Sequence, residues 1–256
     1  MNPQLKFLLV ATLALPSCAP NAHSAEWSHI MGPRHDRKTA ETLAPASLSG
    51  QPRPVWEISA GGGFSSFVTG DGKAYTVIPV GGRETAIALD RKTGKTLWQT
   101  PLSATGYRNG GERGAEGNDG GDGPRATPVY AERRVFVFGG KFDLYALECG
   151  SGRIVWQRDL IKEFEGKEIT WSNAASPLII GDRVLVAGGG SNQTYLAFRT
   201  DNGQVLWTSG SDRPTHSTPI VATIHGKEQA IFMAERGMVS RDPADGRELW
   251  HYPFPY

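Results

Sequence analysis

Residues able to do chemistry are scattered in this chain. Six histidines (His23, His29, His35, His216, His225 and His251) stand apart, and no two have the spacing of a zinc site. The two cysteines, Cys18 and Cys149, lie far apart and make no metal or redox motif. Gly94-Lys95-Thr96 imitates the end of a phosphate loop, but the glycine required five residues earlier is Leu89. Gly61-Gly62-Gly63 and Gly188-Gly189-Gly190 do not sit between a strand and a helix, so they read as turns or strand-end bulges rather than a dinucleotide fingerprint. The Gly-rich stretch 105–124 carries Glu112, Glu116, Asp119 and Asp122, oxygen donors of the kind a hard cation such as Ca²⁺ takes. Their spacing is not that of an EF-hand, and a solvated loop is the expectation. No Asp or Glu is assignable as a catalytic base, and no catalytic residue is expected.

The elements that would position any site are legible in a repeat. Eleven residues with a small residue first, Gly seventh and Trp eleventh occur four times: Ala88–Trp98, Ala146–Trp156, Ala197–Trp207 and Ser240–Trp250. The start reads as a strand, the middle as a tight turn, the end as the next strand. Gly94, Gly152, Gly203 and Gly246 supply the positive φ that the turn demands. Trp98, Trp156, Trp207 and Trp250 read as core anchors rather than ligand platforms, each burying roughly 150–250 Å². At about 25 cal/mol per Å² that is ~4–6 kcal/mol gross, before entropy costs.

A second repeat precedes each of the last three copies: Ala126-Thr127-Pro128-Val129, Ala175-Ser176-Pro177-Leu178 and Ser217-Thr218-Pro219-Ile220. The earlier equivalent, Ser65-Ser66-Phe67-Val68, lacks the proline. Each is followed by a polar turn and a β-rich run, hence a hairpin. The order of strand, hairpin and eleven-residue unit makes about four strands per repeat, the arrangement of a propeller blade.

Composition agrees with a packed domain. The chain has 256 residues, 39% hydrophobic, with a net charge of +1 and no basic stripe, so a nucleic-acid partner is not expected. Residues 1–25 read as a secretory signal: Lys6, then the apolar stretch Phe7–Leu15, too short for a permanent membrane span. Leu15-Pro16-Ser17-Cys18 has the form of a bacterial lipobox with Pro16 as a departure, and Ala22-His23-Ser24-Ala25 offers ordinary cleavage. The two alternatives make Cys18 either a lipidation site, the one expected route to a membrane, or part of a removed peptide. Either way Cys149 has no disulfide partner. Residues 26–54 read as an irregular lead-in and 55–256 as the repeat domain, with Val55–Ile58 as a lone strand.

The eleven-residue unit resembles the tryptophan-docking repeat, A-x-D-x-x-T-G-x-x-x-W, of pyrroloquinoline-quinone-like (PQQ-like) β-propellers. Ala88, Asp90, Thr93, Gly94 and Trp98 match every position. The second copy has Glu148 and Ser151, the third Arg199 and Asn202, the fourth Ser240, Asp242 and Asp245. Trp27 and Gly32-Pro33 are similar to the lead-in of exported members. The resemblance implies an all-β fold of the quinoprotein alcohol dehydrogenase-like type, about four four-stranded blades, with each Trp stacked on the Gly peptide of a neighbour. It also implies that a lone strand such as Val55–Ile58 completes the last blade of a closed ring.

The family includes quinoprotein dehydrogenases, which oxidise alcohols with PQQ and Ca²⁺ and hold a vicinal cysteine pair against the cofactor. This sequence has no such pair, no haem-attachment motif and no motif-assigned base. The family also includes the BamB-like envelope lipoproteins, which use the repeat without a cofactor. The expectation is a non-catalytic binding or assembly scaffold of the bacterial envelope, periplasmic or anchored at the outer membrane, with a protein partner and no cofactor. A PQQ- and calcium-dependent dehydrogenase is the alternative. Full propellers of this resemblance have more blades than four docking motifs make. A fragment of a longer product, a homo-oligomeric ring and a small four-bladed ring are the three explanations.

Overall fold

The computed structural model describes residues 26–42, 53–104 and 123–254. The signal segment with Cys18, and Glu112, Glu116, Asp119 and Asp122, lie outside the described residues.

Among the described residues sixteen strands form four antiparallel four-stranded sheets, each with its strands side by side in chain order. Blade 1 comprises β1 (Val68–Gly70), β2 (Lys73–Val80), β3 (Arg83–Asp90) and β4 (Thr96–Ala104). Blade 2 comprises β5 (Val129–Ala131), β6 (Arg134–Phe138), β7 (Asp143–Glu148) and β8 (Ile154–Asp159). A one-turn helix, α1 (Leu160–Phe164), follows, capped by Asp159, whose side chain accepts the Lys162 N–H. Blade 3 comprises β9 (Leu178–Ile180), β10 (Arg183–Ala187), β11 (Tyr195–Arg199) and β12 (Val205–Ser209). Blade 4 comprises β13 (Ile220–Ile224), β14 (Lys227–Ala234), β15 (Gly237–Arg241) and β16 (Glu248–Pro253). The first strands contact one another in sequence, β1 with β5, β5 with β9 and β9 with β13, as blades radiating from a common axis do.

The core sits between the blades. Tyr75, Val77 and Trp98 of blade 1 pack on Val135, Val137 and Leu147 of blade 2. Phe136, Leu144 and Trp156 meet Val184, Leu196 and Phe198. Leu185, Tyr195 and Trp207 meet Ala230, Phe232 and Val239. A blade is therefore apolar on both faces, which explains why β3 and β7 are almost wholly buried rather than alternating.

Val55–Ile58 is not a strand, in contrast to the sequence expectation. No described strand lies beside it to complete a ladder. Trp56 and Ile58 pack instead on Ala74, Ile87 and Leu89, the face of blade 1 turned away from blade 2.

Gly70 marks the closest approach of inner strands. A Cβ there would overlap the ring of Tyr130, which stacks on Tyr75 at 5.7 Å between centroids. Gly70→Ala is expected to cost about 1–3 kcal/mol by overpacking. Urea melts of the single variant and of Gly70→Ala/Tyr130→Ala check this, the second change relieving the first.

Candidate functional site: interblade docking turns and the axial ends

Each eleven-residue unit spans the β3–β4-type hairpin of its blade. The small residue and the Trp face each other across the ladder: Ala88 with Trp98, Ala146 with Trp156, Ala197 with Trp207, Ser240 with Trp250. Cross-strand neighbours stand only about 4.5–5.5 Å apart at Cβ, so the partner of an indole must be small. A bulge follows the small residue in all four blades.

The turn is closed from within. In blade 1 the Asp90 carboxylate accepts from the Thr93 N–H at 2.8 Å, the Thr93 hydroxyl at 2.8 Å and the Lys92 N–H at 3.1 Å. These bonds hold the exposed Asp90 carboxyl below the usual carboxylate range, the Thr93 hydroxyl contributing most. Glu148 and Ser151 repeat the side-chain bond at 2.7 Å. The glycines adopt φ of +70° (Gly94), +72° (Gly152), +70° (Gly203) and +75° (Gly246).

The Trp of one blade meets the turn of the next. Trp98 Nε1 donates to the Cys149 carbonyl at 3.0 Å, Trp156 Nε1 to Thr200 at 3.0 Å and Trp207 Nε1 to Pro243 at 3.0 Å. The acceptor lies three residues before the turn glycine every time. A Cβ on Gly152 would come within 2.5 Å of Trp98, and one on Gly203 within 2.7 Å of Trp156; Gly246 is closer still to Trp207. These three indoles are each 8% exposed. Glycine is needed twice at this position, for the backbone conformation and for the room.

A fourth contact of the same kind was not legible in the repeat. Trp56 Nε1 donates to the Arg91 carbonyl at 2.9 Å, and a Cβ on Gly94 would lie 2.7 Å from its indole. Trp56 thus occupies the turn of blade 1 without a blade behind it. Trp250 is the opposite case. Its N–H donates at 2.7 Å to Gln229 Oε1, which also accepts from the Ser240 hydroxyl at 2.7 Å, and it meets no docking turn among the described residues.

The second repeat also links blades. The Ser66 N–H donates to Thr127 Oγ1 at 3.0 Å, the Thr127 N–H to Ser176 Oγ at 3.1 Å and the Ser176 N–H to Thr218 Oγ1 at 3.0 Å. These residues precede the first strand of each blade, so the relay runs around the axis at the end where one blade passes to the next. Sequence reasoning found the small-Pro element but not its hydroxyl relay.

At that end Phe64 is 48% exposed and Trp171 52% exposed. The Arg125 guanidinium lies 5.8 Å from the Phe64 ring centroid. His216, half-buried, bonds through Nε2 to the Thr170 carbonyl at 2.8 Å and sits 6.1 Å from Trp171. The buried polar side chains nearby are engaged. Both Glu84 oxygens accept from the Gly140 N–H, at 3.1 and 3.3 Å. The Asn173 amide donates to the Phe138 and Ala175 carbonyls at 3.0 Å and accepts from the Ala175 N–H at 3.0 Å. A Ca²⁺-bound quinone requires several oxygen donors free to converge. Glu84 and Asn173 do not fit that requirement, and no three His, Cys, Asp or Glu side chains group together among the described residues.

A cavity of about 510 Å³ opens between blades 1 and 2. Ser103 donates to Asp143 and lies 2.9 Å from the Tyr145 hydroxyl on its wall. Burial pushes the Asp143 carboxyl above the usual range. Cys149 is a buried free thiol, its pKa raised by burial and then by Asp71.

Trp156→Ala should lower unfolding free energy by about 3–5 kcal/mol. Trp250→Ala, at an indole bonded only within its own blade, should cost about 1 kcal/mol. Chemical denaturation of both variants checks the contrast; equal losses would contradict it.

The matching family profile, described as PQQ_2, outer membrane protein assembly factor BamB, covers residues 82–256. The quinoprotein alcohol dehydrogenase PedH of Pseudomonas putida is 28% identical over 179 residues, 64% of this chain and 26% of that protein. The outer membrane protein assembly factor BamB of Yersinia pestis is 24% identical over 230 residues, 86% of this chain and 53% of that protein. The chain therefore spans about a quarter of one curated relative and about half of the other. Among solved structures, the quinohemoprotein alcohol dehydrogenase from Comamonas testosteroni superposes with a TM-score of 0.65 at 15% identity, over 92% of this chain and 42% of that one. That likeness is one of fold: an all-β propeller. With four four-stranded blades among the described residues and a profile match over more than half its length, the chain belongs to the PQQ_2 family of the outer membrane protein assembly factor BamB.

Proposed function

We propose that this chain is a non-catalytic binding scaffold of the bacterial envelope, acting in outer membrane protein assembly as its BamB relative's name describes. The observation that carries this reading is the use to which polar groups are put. The indole N–H groups of Trp98, Trp156 and Trp207, the hydroxyls of Thr127, Ser176 and Thr218, Glu84 and Asn173 hold backbone of the same or a neighbouring blade. None of them is left to bind and polarise a cofactor or to take a substrate proton.

The partner surface is the axial end where the interblade links run. Phe64 and Trp171 offer exposed aromatic area on loops that the hydroxyl relay holds in place. Aromatic side chains dominate binding energy at protein interfaces. Anchoring through Cys18 would place this surface at a membrane, and export through residues 1–25 would place it in the envelope.

Trp171→Ala is expected to weaken partner capture at least about tenfold while leaving the melting temperature unchanged, as for an interface anchor. Photo-crosslinking of the full chain from position 64 in its native envelope, with and without Trp171→Ala, identifies the partner and measures the loss. Dye-linked alcohol oxidation after adding PQQ and Ca²⁺ is expected to stay at the buffer rate. Turnover above that rate would establish the quinoprotein dehydrogenase reading instead.

A further inference from the structure

The first strand of each blade has an inward edge with no strand beside it. Its backbone groups need partners. In blades 1 and 2 residues 26–28 supply them. The Thr69 N–H donates to the Trp27 carbonyl at 2.8 Å and the Tyr130 N–H to the Ser28 carbonyl at 2.9 Å. The Trp27 N–H donates to Thr69 Oγ1 at 2.7 Å, and Glu26 accepts the Asp71 N–H at 2.8 Å. The segment then reaches blade 3, where the Pro177 carbonyl lies close to the His29 ring.

Beyond His29 the chain turns back on itself. Gly32 N–H bonds to the His29 carbonyl at 2.8 Å and Arg37 N–H to the Met31 carbonyl at 2.9 Å. This brings the His35 ring to 4.2 Å from the His29 ring, centroid to centroid. His29 is 3% exposed, and neither His29 Nε2 nor His35 Nδ1 closes a hydrogen bond of normal geometry. His29 Nδ1 accepts the Met31 N–H at 3.2 Å, which assigns the ring proton to Nε2.

Titratable groups around the pair are few. β1 and β9 bring none, and β5 brings only the Tyr130 phenol. Glu26 is committed to the Asp71 N–H, and Asp71 pairs with Lys73. On the segment itself Arg34 pairs with Asp36, and Arg37 and Lys38 are exposed. Among the described residues no carboxylate acts on either imidazole to stabilise a cation.

We propose that residues 26–37 form an acid-released clip: protonation of the His29–His35 pair detaches the segment and opens the inner strand edges of blades 1 and 2. A proton on His29 Nδ1 would convert an acceptor into a donor facing the Met31 N–H. A second cation 4.2 Å away would repel the first.

Burial, and next the charge of His35, lower the His29 pKa to about 4, and burial also lowers that of His35. The docked state thus prefers neutral rings. The clip holds fully above the ordinary histidine value of about 6.5 and loosens as pH falls toward 4. At pH 5 the His29 shift alone weakens docking roughly 30-fold.

Hydrogen exchange of the Thr69 and Tyr130 amides in the full chain, corrected for intrinsic rates, tests this. Between pH 7.5 and 5 their protection should fall by about 10–30-fold, and His29→Asn/His35→Gln should remove the pH dependence. Equal protection at both pH values in the natural chain, or an unchanged pH dependence in the double variant, would overturn the proposal. If His29→Asn detaches the clip at every pH, His35→Gln alone decides: release must become shallower, and an unchanged slope would overturn it.

Discussion

The contact between an indole and the turn of the next blade is the constraint on which this structure depends. A blade is a thin antiparallel sheet with two apolar faces, and each face must be buried against another element. It must lie against another at the right distance and angle. The Trp sets both, because its N–H finds a carbonyl three residues before a glycine that has no Cβ to hold it off. The small residue opposite each Trp, the bulge beside it and the carboxylate-closed turn serve that one geometry.

The inner ends of the blades are tied differently. There the strands are short and close to the axis, and a backbone N–H of each blade donates to a single hydroxyl of the next, from Ser66 to Thr218. Two fastenings per junction, one near the axis and one at the outer hairpin, fix the blades like two pins through a hinge. Side chains spent on these fastenings are not available for chemistry. A fold shared with alcohol dehydrogenases does not by itself assign their chemistry, because function lies in the site and not in the scaffold.

The two ends of the blade series are not equivalent. The face of blade 1 is covered by Trp56 and Ile58, with Trp56 seated on the Gly94 turn. The face of blade 4 carries Trp250 bonded to Gln229 of its own sheet. On the opposite face, toward blade 3, Arg241 is buried between Asp212 and Glu248 and lies 4.6 Å from the Tyr195 ring, where the other blades have Leu89, Leu147 and Phe198. Blade 4 thus keeps the docking pattern while changing what surrounds it.

Much of this was legible before any coordinates. The spacing of Ala, Gly and Trp located four hairpins, because a positive φ and a large aromatic are demands that few residue types can meet. The small-Pro elements located the inner strands, because proline tolerates only a strand's first position or free edge. What the residues could not reveal was which groups meet across blades. Trp56 has no repeat around it and read as part of a strand; tertiary packing made it a docking residue instead. Thr127 and Ser176 were legible only as members of the small-Pro elements, and His29 and His35 only as two unrelated histidines. Their partners come from other blades or from a reversal of the chain, and local pattern carries no record of such distances. Sequence by itself determined the blade, since its signals lie within a few residues of one another. Only the tertiary structure decided how blades, lead-in segment and axial ends engage, since those contacts join residues some forty or more positions apart.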